Sequence, residues 1–349
     1  MSYVEILTGH DLTQEQWDNE IFTEYIGQLW WKRLMGTGIN NIIQVKEDLV
    51  KKDGDAITIG LRGRLQGGIV VGNATGIGNE GTFSYYGQRI TIDNVRVLAK
   101  ITDIPMSQKR VGFDILKDAR EEIQIKATER LDDEVTTELS VVTTGKVRGR
   151  YLYGAVDSNW SGTHATDLTN IDNTADQLTT NIIRICKRKA TIPVNADGTK
   201  MRPMKVQNGK NYEEWFVYVA HPYCTRDMFD TDAAWKNAQL NIPPLSNSNS
   251  PIFSGSSFKG AYDGVLIYEY DRIQLATSTI QYAHNFLLGA QAAAVVWGQR
   301  AKFGEEESDL GHAVSYEIHE IRGVKKLYFT RTNQMDQGIV HSFVAAVAD

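Results

Sequence analysis

The chain has 349 residues, 42% of them hydrophobic and 23% charged, with a formal net charge of −6. That is an ordinary globular composition, long enough for two domains or one large elaborated domain, and it excludes disordered chains, collagen and coiled-coil fibres. An excess of acid, 43 acidic against 37 basic residues, is the wrong sign for a dedicated nucleic-acid reader.

Two cysteines, Cys186 and Cys224, are too few for a disulfide framework or a zinc ribbon. They fit a reducing compartment. Residues 1–12 are acidic and lack the apolar core of a signal peptide. The most apolar stretch, 286–298, is broken by Gly289 and Gln291 and is shorter than a membrane span needs. Membrane and secreted classes are therefore set aside.

Along the chain, Phe22, Tyr25, Leu29, Trp30 and Leu34 fall near helical spacing, which predicts a short amphipathic helix ending near Gly36 and Gly38. Trp17, Trp30 and Trp31 are costly on an exposed arm. They either pack on the chain's own core or dock on a neighbouring copy, where aromatic anchors are favoured. From about 53 to 100 the chain is rich in glycine and free of proline. Segments 56–59, 69–71 and 90–97 read as strands, giving a long two-stranded excursion with a flexible tip. An isolated ribbon is marginal in water, so it should rest on something outside its own domain.

Leu116, Ala119, Ile123, Ala127, Leu131, Val135 and Leu139 recur at steps of three and four. They predict one long helix over 103–142, about 50 Å in length, with a single narrow apolar stripe. A polar crossing segment follows over 145–173, then a helix over 174–189. A hairpin turning at Asn208-Gly209 comes next, with strands at 201–206 and 214–220. A helix over 227–240, a loop over 241–257 and a strand over 264–270 follow. An apolar element at 286–297 and strands at 313–321, 324–330 and 339–347 close the chain. The class is α+β, with a second lobe over about 172–283 and no internal repeat.

Catalytic motifs fail one after another. Gly76-Ile77-Gly78-Asn79-Glu80-Gly81 matches a phosphate-loop pattern, but the β-like Thr82-Phe83-Ser84-Tyr85-Tyr86 follows it. The helix N-terminus that would hold a phosphate is missing. The seven histidines are scattered with no pair four apart, so no metal site is expected. Glu305-Glu306-Glu307 with Asp309 lacks calcium-loop spacing and reads as a solvated acidic turn. His221 and Cys224 are close in sequence, which does not make a catalytic pair. No nucleophile elbow or Walker loop occurs. No catalytic, cofactor or metal residue is assigned, which favours a structural role.

The order of parts then carries a resemblance: aromatic arm, glycine-rich excursion, isolated long helix, α+β lobe, long returning strands. Added to this are Gly81-Thr82-Phe83 leading into Ile90-Thr91-Ile92-Asp93, and Trp215-Phe216-Val217-Tyr218-Val219-Ala220-His221-Pro222. Phe258-Lys259-Gly260-Ala261-Tyr262-Asp263-Gly264-Val265, Leu287-Leu288-Gly289-Ala290-Gln291-Ala292 and Gly323-Val324-Lys325-Lys326 complete the set. The chain resembles the major capsid proteins of tailed bacteriophages with the Hong Kong 97 capsid fold, in the branch of phage N-four.

The resemblance implies an α+β fold divided into an N-terminal arm (1–48) and an E-loop (49–97). A P-domain (98–171 and 284–330) with a spine helix and an A-domain (172–283 and 331–349) complete it. It implies hexamers and pentamers forming an icosahedral head around double-stranded DNA, found in the virion and assembled in the host bacterial cytoplasm. It further implies a separate scaffolding protein, because no long helical segment precedes the arm, a portal protein at one vertex and, as an optional partner, a decoration protein. Contact with DNA would be non-specific, and no membrane or cofactor is involved. Inter-subunit contacts are expected at Trp17, Trp30, Trp31, Gly67, Gly68, Gly76, Gly78, Phe83, Tyr85 and Tyr86. The Lys–Asn–Glu cross-link of some family members cannot be placed, since Lys51 and Lys52 sit at the base of the excursion. An encapsulin-like compartment shell and a cytosolic α+β enzyme are the alternatives.

Overall fold

Three sheets and one long helix organise the computed structural model, which describes residues 29–50, 53–105, 115–143, 146–194, 200–208, 211–241, 257–329 and 335–348. The strands begin with β1 (Met35–Gly36), β2 (Ile43–Lys46), β3 (Ala56–Arg62), β4 (Tyr85–Thr91) and β5 (Asp93–Thr102). The helix α1 (Ile115–Ser140) follows, then β6 (Tyr151–Tyr153), α2 (His164–Thr169) and α3 (Thr180–Thr191). Next are β7 (Met204–Asn208), β8 (Asn211–Ala220), α4 (Pro222–Thr231) and α5 (Ala233–Asn241). Beyond α5 the described elements are all strands: β9 (Phe258–Tyr262), β10 (Val265–Glu269), β11 (Leu275–Thr277) and β12 (Gln281–Leu288). Then come β13 (Ala293–Ser308), β14 (Ala313–Lys326) and β15 (Ile339–Ala345).

One sheet has the order β1-β2-β13-β14-β5, and α1 packs across it. The larger sheet runs β6-β15-β12-β8-β10-β9, with β11 and β7 paired at its flanks. A two-stranded ribbon, β3-β4, stands apart. Strand β12 belongs to the larger sheet and β13 to the smaller one. The crossing between them therefore falls at 289–292, and the segment expected as one apolar element is two strands. Tyr151–Tyr153 also joins the larger sheet through β15.

The helix stripe is where periodicity placed it. Ile123, Ala127, Leu131, Val135 and Leu139 are buried, and Leu116 and Ala119 pack at the edge of the same core. The described helix has 26 residues, or about 39 Å at 1.5 Å per residue. Its opposite face is wet and carries the pairs Lys117–Glu121 and Arg130–Glu134, each one turn apart. Arg322 of β14, fully buried, reaches Glu134 at 3.1 Å and Glu320 at 2.7 Å, tying helix to sheet.

Several elements differ from expectation for local physical reasons. Trp30–Leu34 is a short 3-10 turn and not the end of an amphipathic helix. The segment 69–71 has no strand partner. The apparent strand 90–97 is two strands that part at Ile92, one in the ribbon and one in the sheet. The helix expected over 174–189 starts later, at Thr180, and the one expected over 227–240 is broken at Asp232. The Asp232 carboxylate accepts from the backbone N–H of Ala234, as at a helix start. Segments 313–321 and 324–330 are mostly one continuous strand, β14. The acidic Glu305–Glu307 run lies in β13 and not in a turn, and Arg120 pairs with Glu305 at 3.1 Å.

Candidate assembly surface

The ribbon's base is fixed to its own chain. Ile90 is buried with Ala294, Val296, Leu327 and Phe329, and Ile57, Ile59, Leu61 and Tyr86 pack around them. Gln88, also buried, works as a bracket between strands far apart in sequence. Its amide Nε2 donates to the Lys326 carbonyl at 2.6 Å, and its Oε1 accepts from the N–H groups of Tyr328 and Phe329 at 2.9 and 3.0 Å. Gly323 is obligatory at the crossing, because a Cβ there would lie 2.1 Å from the Thr91 carbonyl oxygen. The base of the ribbon thus rests on residues outside the excursion itself, within the same chain, as an isolated ribbon requires.

Beyond the base the ribbon reaches into solvent. Seven strand pairs run from Ala56↔Thr91 to Arg62↔Tyr85. A last bridge joins Gln66 and Thr82 through hydrogen bonds of 2.8 and 2.9 Å. The tip beyond it has Gly67, Gly68, Gly72 and Gly78 at φ between 73° and 86°. Gly68 needs this freedom doubly, since a Cβ would also press within 3 Å of the Gly81 backbone. Small local bonds hold the tip's shape, such as Gly78 N–H to Glu80 Oε2 at 2.8 Å.

What the tip presents is apolar. Leu65, Ile69, Val71, Ile77, Phe83 and Tyr85 are exposed, Ile69 to 87%. Phe83 and Tyr85 meet edge to face with centroids 5.4 Å apart. A run of exposed aliphatic and aromatic side chains at the end of a ribbon is a candidate interaction surface. Of the expected contact residues, Gly67, Gly68, Gly76, Gly78, Phe83 and Tyr85 share this surface, and Tyr86 is half-buried beside it. The glycine pattern at 76–81 sits in the exposed loop with no helix after it.

The tryptophans go elsewhere. Trp31 is fully buried in its own chain, and its indole N–H donates to Thr136 Oγ1 at 3.2 Å. It has no surface left for a neighbour, which corrects the docking role expected of it. Trp30 is half-buried and stacks on Tyr270 at 4.4 Å. The Asp132 carboxylate in mid-helix accepts from the backbone N–H groups of Trp30 and Trp31 at 3.2 and 3.5 Å. Burial pushes Asp132 up to about 6, against the pull of those two hydrogen bonds. Trp17 lies outside the described residues, as do Lys51 and Lys52.

His221 and Cys224 form no catalytic pair. His221 Nδ1 accepts from the Tyr223 N–H at 3.2 Å and so caps α4. Cys224 and Cys186 are both fully buried, and burial pushes each thiol up to about 12. Such thiols are inert at neutral pH.

A buried polar network lies where α1, both sheets and the ribbon meet. Asp336 accepts from Thr143 Oγ1 and Tyr151 O–H, each at 2.9 Å, and pairs with Lys326 Nζ at 2.8 Å and His341 Nε2 at 3.1 Å. His341 Nδ1 in turn faces His284 Nε2 at 2.8 Å. Burial opposes ionisation of Asp336, but the His341 bond and the Lys326 ammonium outweigh it and hold the carboxyl well below its usual range. Burial keeps His284 and His341 neutral; the Lys326 ammonium adds to that at both rings, while the Asp336 carboxylate pulls His341 the other way without prevailing. No short-range pattern announced this network, because Thr143 and Asp336 are 193 positions apart.

The fold agrees with what the chain is similar to. A model of the phage capsid protein family matches residues 6–347, and the chain belongs to that family. Among solved structures, the capsid of cyanophage Pam1 matches at 26% identity and a TM-score of 0.77, covering 100% of both chains. The capsid of Ralstonia phage GP4 matches at 23% and 0.75, covering 99% of both. The head of Helicobacter pylori bacteriophage KHP40 shares the fold at 14% and 0.66, covering 92% of this chain and 91% of that one. No curated protein sequence matches. The α+β architecture is therefore that of the Hong Kong 97-like phage capsids, and the protein is a structural component of the virion.

Proposed function

We propose that this chain is the repeating coat subunit of an icosahedral phage head, assembling as hexamers and pentamers around packaged double-stranded DNA. The carrying observation is the ribbon: braced at its base by Gln88 and Gly323, exposed and apolar at its tip. Such a tip is a liability on a free monomer and an asset in a lattice. In this reading the ribbon is the E-loop. The five-stranded sheet with α1 makes the P-domain, and the larger sheet with α3, α4 and α5 makes the A-domain at the ring centre.

The subunit works by shape and needs no catalytic activity. Its net charge of −6 suits confinement of a polyanion without adhesion. A separate scaffolding protein and a portal at one vertex complete the assembly, and a decoration protein is an optional addition to it. Electron microscopy of the purified chain, expressed with the scaffolding protein, tests the reading. Closed shells built on hexamers and pentamers are expected. A protein that stays monomeric at high concentration with scaffold present would overturn it.

A further inference from the structure

We infer that residues 1–28 dock, in the free subunit, into a cation-rimmed apolar groove beside α3 of their own chain. The groove has a volume of about 440 Å³. Its floor is apolar, made by Val147, Ile185, Ile192, Pro193 and Val194, with Ile192 59% exposed. Val194 seats against Gly149, where a Cβ would stand only 2.5 Å from it. Arg148, Arg188 and Lys189 stand around the rim.

The rim is short of negative charge. Asp157 serves both Arg148, at 2.9 Å, and Lys189, at 2.5 Å. The exposed Arg188 has no carboxylate partner among the described residues, nor has Arg184 one turn earlier on α3. The helix α3 itself contains Arg184, Lys187, Arg188 and Lys189 and no acidic residue. A cationic rim alone would suit any polyanion. The exposed apolar floor asks in addition for apolar side chains, which a phosphate backbone does not supply.

Residues 1–28 have that chemistry. They carry Glu5, Asp11, Glu15, Asp18, Glu20 and Glu24 and not one Lys or Arg. Interleaved with these are Val4, Ile6, Leu12, Trp17, Ile21 and Phe22. Such bias in a chain with 37 basic residues leaves a net negative, apolar-rich segment facing a net positive, apolar-floored groove. Reach is no obstacle. At about 3.3 Å per extended residue, 28 residues span about 90 Å, several times the radius of a domain this size. Tethering also gives the segment an effective concentration in the millimolar range, well above that of any second copy in dilute solution.

The test uses the full chain with Ile192→p-benzoylphenylalanine, irradiated as dilute free subunit in an equal mixture of ¹⁴N- and ¹⁵N-labelled protein. Mass spectrometry should place the cross-links on residues 1–28, within chains of one isotope. Combining Arg148→Glu with Arg188→Glu should cut their yield at least fivefold, while Arg188→Lys should preserve it. Circular dichroism identical to the parent would show that the charge variants fold; Arg188→Gln, at an exposed site, is the fallback and should cut the yield about twofold. Cross-links outside residues 1–28, cross-links between isotopes, or a yield indifferent to rim charge would each overturn the inference. So would cross-links that form only when duplex DNA is added, which would assign the groove to a polyanion.

Discussion

Asp132 is a carboxylate placed where a neutral group would be cheaper. Its pKa of about 6 in the fold compares with about 3.9 in an unfolded chain. Between those values the folded state takes up a proton that the unfolded state does not. The contribution of Asp132 to stability therefore rises as pH falls from about 6 to about 4, and ionisation above pH 6 costs stability. Against Asp132→Asn in urea unfolding of the free subunit, the parent should gain about 1–2 kcal/mol between pH 7 and pH 5. A constant difference across that range would mean the carboxyl titrates normally. Lys326 is the opposite case, a buried charge that its partners need. Lys326→Met leaves Asp336 one cation short in the interior and should destabilise the subunit by about 3–5 kcal/mol. Adding Asp336→Asn should recover part of that loss. If the double variant is no better than the single one, the pairing in this network is not what holds it.

At the scale of elements, α1 was the most legible part of the chain, because a 3.6-residue stripe needs only local sequence to be read. Its residue Leu131 has no exposed surface, and Leu131→Ala should cost about 2–5 kcal/mol, checked by the shift of the urea midpoint. The strands were read less well. Ile69-Val70-Val71 has strand composition but is flanked by Gly68 and Gly72 in left-handed conformation, and no partner faces it. Tyr85–Thr91 carries a glycine in mid-strand and was not separated from β5, since only pairing partners distant in sequence divide them at Ile92. The same holds for Gln88 and Gly323, whose roles exist only once β4 lies against β14. The exposed tip, by contrast, was legible in its glycines and in Phe83 and Tyr85. For the ribbon a protease is the natural probe. Limited digestion of free subunits should cut between Gly67 and Gly81, and the same bonds should resist in assembled shells. Equal resistance in both states would mean the tip never becomes part of an interface.

For the whole molecule, the class could be read before the architecture could be drawn. The order of arm, glycine-rich excursion, long helix and returning strands pointed to a capsid subunit, while the division of strands between the two sheets did not follow from it. Burying β12 in one sheet and β13 in the other depends on the turn at 289–292, where only Gly289 and Gln291, the latter at φ 64°, interrupt an otherwise apolar run. Shell durability must come from many weak contacts. Both cysteines are buried, and the tip from Gly63 to Ser84 contains no lysine, so the tip has no side-chain amine to give to an isopeptide bond. Boiled, denatured particles should run as a single band near 39.1 kDa, with or without reductant. A ladder of larger species would reveal a covalent bond elsewhere in the chain.

The passage of β4 into β5 through the single residue Ile92 makes the ribbon and the sheet share one continuous length of backbone. Ile92 N–H donates to the Asp55 carbonyl at 3.0 Å, so even the joint is splinted. From Asp93 onward the same chain pairs with β14 over ten positions, ending at Thr102↔Ala313. Tension applied at the tip would thus run along the strand axis and load those ladder bonds together, in shear, instead of peeling them one at a time. Whatever grips the far end of the ribbon pulls on the sheet under α1, and the subunit answers such a pull as a stiff lever and not as a loose tether.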